Sequence, residues 1–219
     1  MISGPRYGSP HGKLDRMPLV VGANVTITVN NVRRSVLPAA GCRCRCAKMM
    51  TEVLPHRPSQ LLDTLGELDF QMAVTVPDGW LGQLLVQIEN HVDMQLIRAT
   101  HEEEALAIAC GARIGGARTV LLVQNVGIIT MGAGMVSLAM RYQIPLLILA
   151  SFRGAPDDPV FYHIPKGRVT LPVLRAMGLH HAVVRPDAPI ASQVKAAATY
   201  AEEASQPVVL LMGREDVQW

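Results

Sequence analysis

The chain has 219 residues, 49% of them hydrophobic but only 4% aromatic, which suits one sizeable domain with an aliphatic core plus an extension. Its net charge of +2 is uneven: residues 1–50 hold eight Lys/Arg and one acid (+7), the remainder twelve Lys/Arg and 17 acids (−5). The body is therefore mildly acidic, which argues against nucleic-acid binding, and no apolar run approaches the roughly 20 residues of a membrane helix.

Residues 1–50 read as an irregular basic extension ahead of a domain over 51–219. They show no helical period and one short alternating run, Asn24-Val25-Thr26-Ile27-Thr28-Val29. One explanation is an upstream mis-assigned start, with Met49 or Met50 as initiator; a genuine extension is the other. Cys42, Cys44 and Cys46 have C-x-C-x-C spacing, which lacks the paired C-x2-C of a zinc site, so no metal ligands are assigned. Without a signal-peptide pattern at the start, the default expectation is a cytoplasmic protein.

From residue 58 onward, helix and strand alternate. The apolar spacing predicts a helix over Ser59–Leu68, a strand over Gln71–Val76, a helix over Leu81–Asn90 and a strand over Met94–Arg98. Next come a helix over Glu102–Gly115, a strand over Thr119–Gln124, a helix over Gly132–Tyr142 and a strand over Pro145–Ala150. A helix over Gly167–Met177, a strand over Ala182–Arg185, an amphipathic helix over Ile190–Ala204 and a strand over Pro207–Met212 complete the series. Strands such as Leu146-Leu147-Ile148-Leu149-Ala150 are apolar on both sides, as in parallel sheets covered on both faces. The expectation is an α/β fold, a doubly wound, mostly parallel six-stranded sheet with helices on both faces.

In such a fold ligands bind at the carboxyl ends of the strands. Four segments fall there: Val76-Pro77-Asp78-Gly79, Thr100-His101-Glu102, Gln124-Asn125-Val126-Gly127 and Ser151-Phe152-Arg153-Gly154. Glu102 opens a helix directly after a strand, and Gly111 follows nine positions on. The run is no zinc motif, because Ala105 stands where a second histidine would be needed. Gly111–Gly116 lacks the dinucleotide-binding spacing and ends a helix instead of opening one. Further along, His163-x-x-Lys166-Gly167-Arg168 makes the 151–168 stretch locally basic.

Read in order, these segments resemble the α subunit of sulfopyruvate decarboxylase and the matching half of phosphonopyruvate decarboxylase. The resemblance covers about residues 55–215 and is most specific at the Glu102 segment and at Gln124-Asn125-x-Gly127. It implies the pyrimidine-binding domain of a thiamine-diphosphate (ThDP) enzyme, a carboxy-lyase acting on a 2-oxoacid. Glu102 matches the glutamate that hydrogen-bonds the coenzyme's aminopyrimidine and activates it. Asp78 is the second catalytic candidate, as proton donor or polar orienter. Pro77, Gln124, Asn125 and Gly127 are cofactor-binding candidates; Arg153, His163, Lys166 and Arg168 are candidates to bind an anionic substrate group. Such enzymes also grip the diphosphate through Mg²⁺ on a second domain marked by Gly-Asp-Gly, and no Gly-Asp pair occurs in this chain. The resemblance therefore implies a separate β subunit carrying that domain, with the active site between the two chains.

Overall fold

The structure, a computed structural model, describes residues 57–156 and 158–218. The extension over 1–50, its boundary with the 51–219 domain and the Cys42–Cys46 cluster lie outside the described residues.

The elements in chain order are α1 (Arg57–Glu67), β1 (Met72–Thr75), α2 (Gly82–Glu89), β2 (Gln95–Arg98), α3 (Glu102–Ile114) and β3 (Thr119–Gln124). Then come α4 (Asn125–Thr130), α5 (Gly132–Gly134) running into a π-helical turn (Met135–Met140), and β4 (Leu146–Ser151). A 3₁₀ turn (Phe161–His163) leads into α6 (Ile164–Ala176), followed by β5 (His180–Val183), α7 (Ile190–Ala204), β6 (Pro207–Met212) and α8 (Arg214–Val217). The six strands form one sheet, all parallel, in the order β2-β1-β3-β4-β6-β5. The expected α/β class, strand number and strand direction are what the chain adopts.

Side chains alternate across the sheet, so each central strand feeds two cores. Ala73, Val120, Leu122, Leu147, Leu149 and Leu210 face one layer, where Leu61 and Leu65 of α1, Leu84 and Ile88 of α2 and Val194 of α7 pack. Val74, Leu121, Val123, Ile148, Val209 and Leu211 face the other, against Leu106 and Ala109 of α3, Ile128 of α4 and Leu174 of α6. Burying each large aliphatic side chain contributes about 1.5–3 kcal/mol, which explains how a core with few aromatics suffices. Cys110 lies in the second layer, and burial pushes its thiol up to about 11, so it is a small apolar core residue.

The strand order puts a topological switch between β1 and β3, since the chain steps outward to β2 on one side and to β4 on the other. The carboxyl ends of β2, β1, β3 and β4 lie side by side, which brings the four polar segments to one edge.

Three elements differ from expectation. β5 occupies His180–Val183, two residues before the predicted Ala182–Arg185. It is the sheet edge, largely exposed, so its histidines need no burial and the apolar signal is displaced toward the buried Val184. Asn125–Thr130 is helical, where a turn was expected. Its β-branched residues have modest helix propensity, and burial of Ile128 overrides it. Finally, α6 begins at Ile164, one turn before the predicted Gly167, with Pro165 in its first turn.

The segment from β4 to α6 is held by backbone contact. Gly154 has φ +79°, and a Cβ there would lie 2.1 Å from the carbonyl oxygen of His163. A Cβ on Gly167 would lie 1.9 Å from the carbonyl oxygen of Gly154. Buried Asp158 closes the same loop: its Oδ2 accepts from the Gly154 N–H (2.8 Å) and pairs with His163 Nδ1 (2.7 Å), and its Oδ1 accepts from the Val160 N–H (3.0 Å). Burial alone would raise the Asp158 carboxyl, but these hydrogen bonds and His163 outweigh it and hold the group below the usual carboxylate range.

Two stability outcomes follow from this clasp. Ala in place of Gly inside a helix normally stabilises by about 0.8–1 kcal/mol. Gly167→Ala is expected instead to lower Tm in thermal denaturation, because the Gly154 carbonyl occupies the space; a raised Tm would show that the two backbones can part freely. Asp158→Asn should also lower stability. Because the folded-state carboxyl titrates below its unfolded value of about 3.9, the deficit relative to wild type should be constant above about pH 5. It should shrink as pH falls below about 4, which denaturant melts at several pH values would measure.

Candidate active site

Glu102 is the first residue of α3, with three residues (Ala99, Thr100 and His101) between it and the end of β2. The start of the helix is fixed by Glu104, whose Oε2 accepts from the N–H (2.8 Å) and hydroxyl (2.7 Å) of Thr100. The hydroxyl bond is the larger cause holding the Glu104 carboxyl below its ordinary range. Sequence reading gave Glu104 no special part; its position three residues into the helix, as in a capping box, was the available signal. Glu103 is exposed. Glu102 itself is half-buried, and among the described residues its carboxylate accepts no hydrogen bond.

Its neighbour is Gly127, in the first turn of α4. A Cβ on Gly127 would lie 2.6 Å from Glu102 Cγ and 2.7 Å from its Oε1. The absence of a side chain at 127 is what lets the carboxylate lie against α4. A carboxylate so placed, part-shielded and without an internal partner, is suited to accept a hydrogen bond from a ligand ring nitrogen. The observed cradle fits an aminopyrimidine.

Asp78 lies beyond β1 and accepts four hydrogen bonds. Its Oδ1 takes Gln124 Nε2 (3.1 Å) and Arg153 Nη2 (2.6 Å), and its Oδ2 takes the Trp80 N–H (3.1 Å) and Ser151 Oγ (3.0 Å). The Asp78 and Arg153 side chains are 8% and 10% exposed. The Arg153 guanidinium also covers the Trp80 ring, 4.2 Å from its centroid. With four donors on its two oxygens, this carboxyl group ties its own loop to the ends of β3 and β4.

The other named residues divide clearly. Asn125 is fully buried: its Nδ2 donates to the Arg153 carbonyl (3.0 Å) and Thr170 Oγ1 (2.7 Å), and its Oδ1 accepts from the Arg153 N–H (3.3 Å). It ties β3, β4 and α6 together, with both amide atoms engaged within the chain. Arg153 and His163, named above as candidates for an anionic substrate group, also have partners within the chain. Arg153 is paired with Asp78, and His163, 5% exposed, is paired with Asp158 and packed edge-on to Trp80. Pro77 is exposed at the strand end, and Arg168 is exposed on α6. Lys166 is half-buried in the first turn of α6, its Nζ donating to Gln124 Oε1 at 3.1 Å. Trp80 was missed from sequence, where a lone aromatic after Asp78-Gly79 carries no signal of its partners.

The family model for the thiamine pyrophosphate enzyme N-terminal TPP binding domain matches residues 58–164. Among curated relatives, sulfopyruvate decarboxylase subunit alpha of Methanocaldococcus jannaschii is 32% identical over 153 residues, 69% of this chain and 89% of that protein. The subunit of the same name from Methanococcus maripaludis is 30% identical over 138 residues, 63% of this chain and 83% of the relative. Phosphonopyruvate decarboxylase of Streptomyces hygroscopicus is 30% identical over 115 residues, 51% of this chain but only 28% of the relative. With the parallel sheet and the glutamate at its carboxyl edge, these similarities establish that the chain belongs to the thiamine pyrophosphate enzymes, in the family of sulfopyruvate decarboxylase alpha subunits.

Proposed function

We propose that this chain is the pyrimidine-binding subunit of a ThDP-dependent decarboxylase of sulfopyruvate, active only when joined to a β subunit. The observation that carries the reading is the Glu102 carboxylate lying against Gly127, with no hydrogen-bond partner among the described residues. When bound, the coenzyme supplies the electron sink needed to expel carbon dioxide from a 2-oxoacid. The chain's own contribution is to hold a proton-accepting carboxylate at a fixed position and to keep that position dry. Glu102 would accept the hydrogen bond from the aminopyrimidine ring, and Gly127 would let the ring and carboxylate approach. Asp78, Arg153 and Asn125 would set the strand ends behind them without touching the reacting atoms.

The two-chain reading rests on the sequence, which has no Gly-Asp pair of the kind that marks a diphosphate-gripping domain. The Streptomyces phosphonopyruvate decarboxylase, of which this chain spans 28%, is long enough to hold both halves in one polypeptide. In this reading Mg²⁺ and the diphosphate belong to the β subunit. Exposed Phe161 (79%), Tyr162 (62%) and Ile164 (50%), at the carboxyl edge of the sheet, would be among the residues it covers. A cytoplasmic complex is part of this reading; no described helix is long and apolar enough to cross a membrane. Phosphonopyruvate is the second substrate reading, favoured by the 30% identity to its decarboxylase.

The two residues at the cradle should behave differently from their neighbours. In the assembled enzyme, Glu102→Gln should fold normally and lose roughly 10²–10⁴-fold in rate, while Glu103→Gln stays close to wild type. Gly127→Ala should leave thermal stability unchanged or slightly raised, because the atom it meets is a movable side chain in a helix-favouring context. It should still lose on the order of 10²-fold in rate by displacing Glu102. Decarboxylation at the wild-type rate by both variants would remove the basis of the proposal.

Coenzyme binding gives a separate check. Titrated with ThDP and Mg²⁺ in a calorimeter, the isolated chain should give no tight binding, and adding the β subunit should restore it. Tight, Mg²⁺-dependent binding by this chain alone would show that the diphosphate site is its own.

A further inference from the structure

Four basic side chains belong to the segment between β4 and the second turn of α6, and the structure separates them by counter-charge. Arg153 is neutralised by Asp78 at 2.6 Å and His163 is paired with Asp158 at 2.7 Å, both in buried surroundings. Arg168 is exposed, and being two positions after Lys166 it projects about 200° away around the helix. Lys166 alone is part-buried and has no described carboxylate within ion-pair distance.

An ammonium has three N–H donors, and Gln124 Oε1, a neutral acceptor, engages one of them at 3.1 Å. Gln124 is itself fixed, since its Nε2 donates to Asp78 Oδ1 at 3.1 Å. The backbone behind Lys166 is fixed too: Thr170 Oγ1 donates to its carbonyl at 2.7 Å and accepts from Asn125 Nδ2 at 2.7 Å. A cation held in place, partly desolvated and without a counter-charge among the described residues becomes more favourable when an anion arrives. Gln124 ends β3, and Gly127, which cradles Glu102, follows three residues later on the same turn. One rigid turn thus carries both the Glu102 seat and the Lys166 anchor.

We propose that Lys166 is the residue that recognises the distal anion, a sulfonate or phosphonate, of a 3-substituted 2-oxoacid, with Gln124 as its positioning residue. The inference rests on the decarboxylase reading above and assigns to one side chain the substrate class of that site.

The test compares sulfopyruvate and pyruvate as substrates of the complete two-subunit enzyme carrying wild type, Lys166→Met or Lys166→Arg. Lys166→Met should lower kcat/KM for sulfopyruvate about 10–100-fold, mostly through KM, as expected for losing one charge-assisted contact. Pyruvate should change less than about 3-fold, and Lys166→Arg should recover much of the preference. Inhibition by 3-sulfopropionate, which has the distal anion but no keto group, should weaken in parallel. Lys166→Gln makes the same comparison if the methionine disturbs α6. An unchanged substrate ratio, or an equal fall for both acids, would overturn the assignment of Lys166 and leave the decarboxylase reading standing. Failure of the wild-type complex to turn over either acid would overturn that reading and this inference together.

Discussion

The carboxylate of Asp78 is the fixed point of the site. It collects donors from its own loop, from β3, and from the end of β4 and the loop beyond it, all at 2.6–3.1 Å. A buried carboxylate is costly unless nearly every lone pair is satisfied, so the strand ends that satisfy it are held to a narrow range of positions. The Arg153 pair is correspondingly a device for placing backbone: the same residue's N–H and carbonyl are read by Asn125, which reaches on to α6 through Thr170. Breaking such a pair by removing one partner typically costs about 3–5 kcal/mol, because the survivor is left buried and uncompensated. What reaches the reacting centre is the geometry this imposes: Gln124 oriented, α4 started at Asn125, and Gly127 placed beneath Glu102.

Much of the fold was legible in the sequence because parallel strands buried on both faces leave a strong signal. Runs such as Thr119–Gln124, Pro145–Ala150 and Pro207–Met212 are located to within a residue, since their interior positions are buried on both faces and apolar. The edge strand β5 was displaced by two residues because solvent on its outer side removes that demand. The short helix α4 was invisible for a different reason. Val126, Ile128 and Ile129 favour strands locally, and burial of Ile128 in the core layer it shares with α3 and α6 overrides that preference.

At the site, residue types were legible but their partners were not. Glu102 announces itself by its place between a strand and a helix, and Gly127 by following the polar end of β3. Charge is harder to read, because a basic residue in sequence has the same appearance whether it meets solvent, a ligand or an internal acid. Arg153 and His163 are tied to Asp78 and Asp158, acids 75 and five positions away. Neither pairing has a sequence period that would reveal it. Their counter-charges lie within the chain, whereas Lys166 is half-buried with no counter-charge among the described residues.

That accounting also explains why the β4–α6 connection is built so tightly. If one ammonium is to discriminate a distal anion from a methyl group, its distance from the proton-accepting carboxylate must hold steady, since displacement of about 1 Å can cost 10²-fold in rate. Gly154 and Gly167 bring two backbones into contact where no Cβ fits, and Asp158 ties the intervening loop to both sides. Lys166 lies one residue before Gly167, so its backbone inherits that restraint. Glu102, on a separate helix, is referenced to the same frame through Gly127 and the end of β3. On the proposed reading the two ends of a substrate would be measured from one turn of chain, and the glycines that look like loop residues in the sequence would keep that measure fixed.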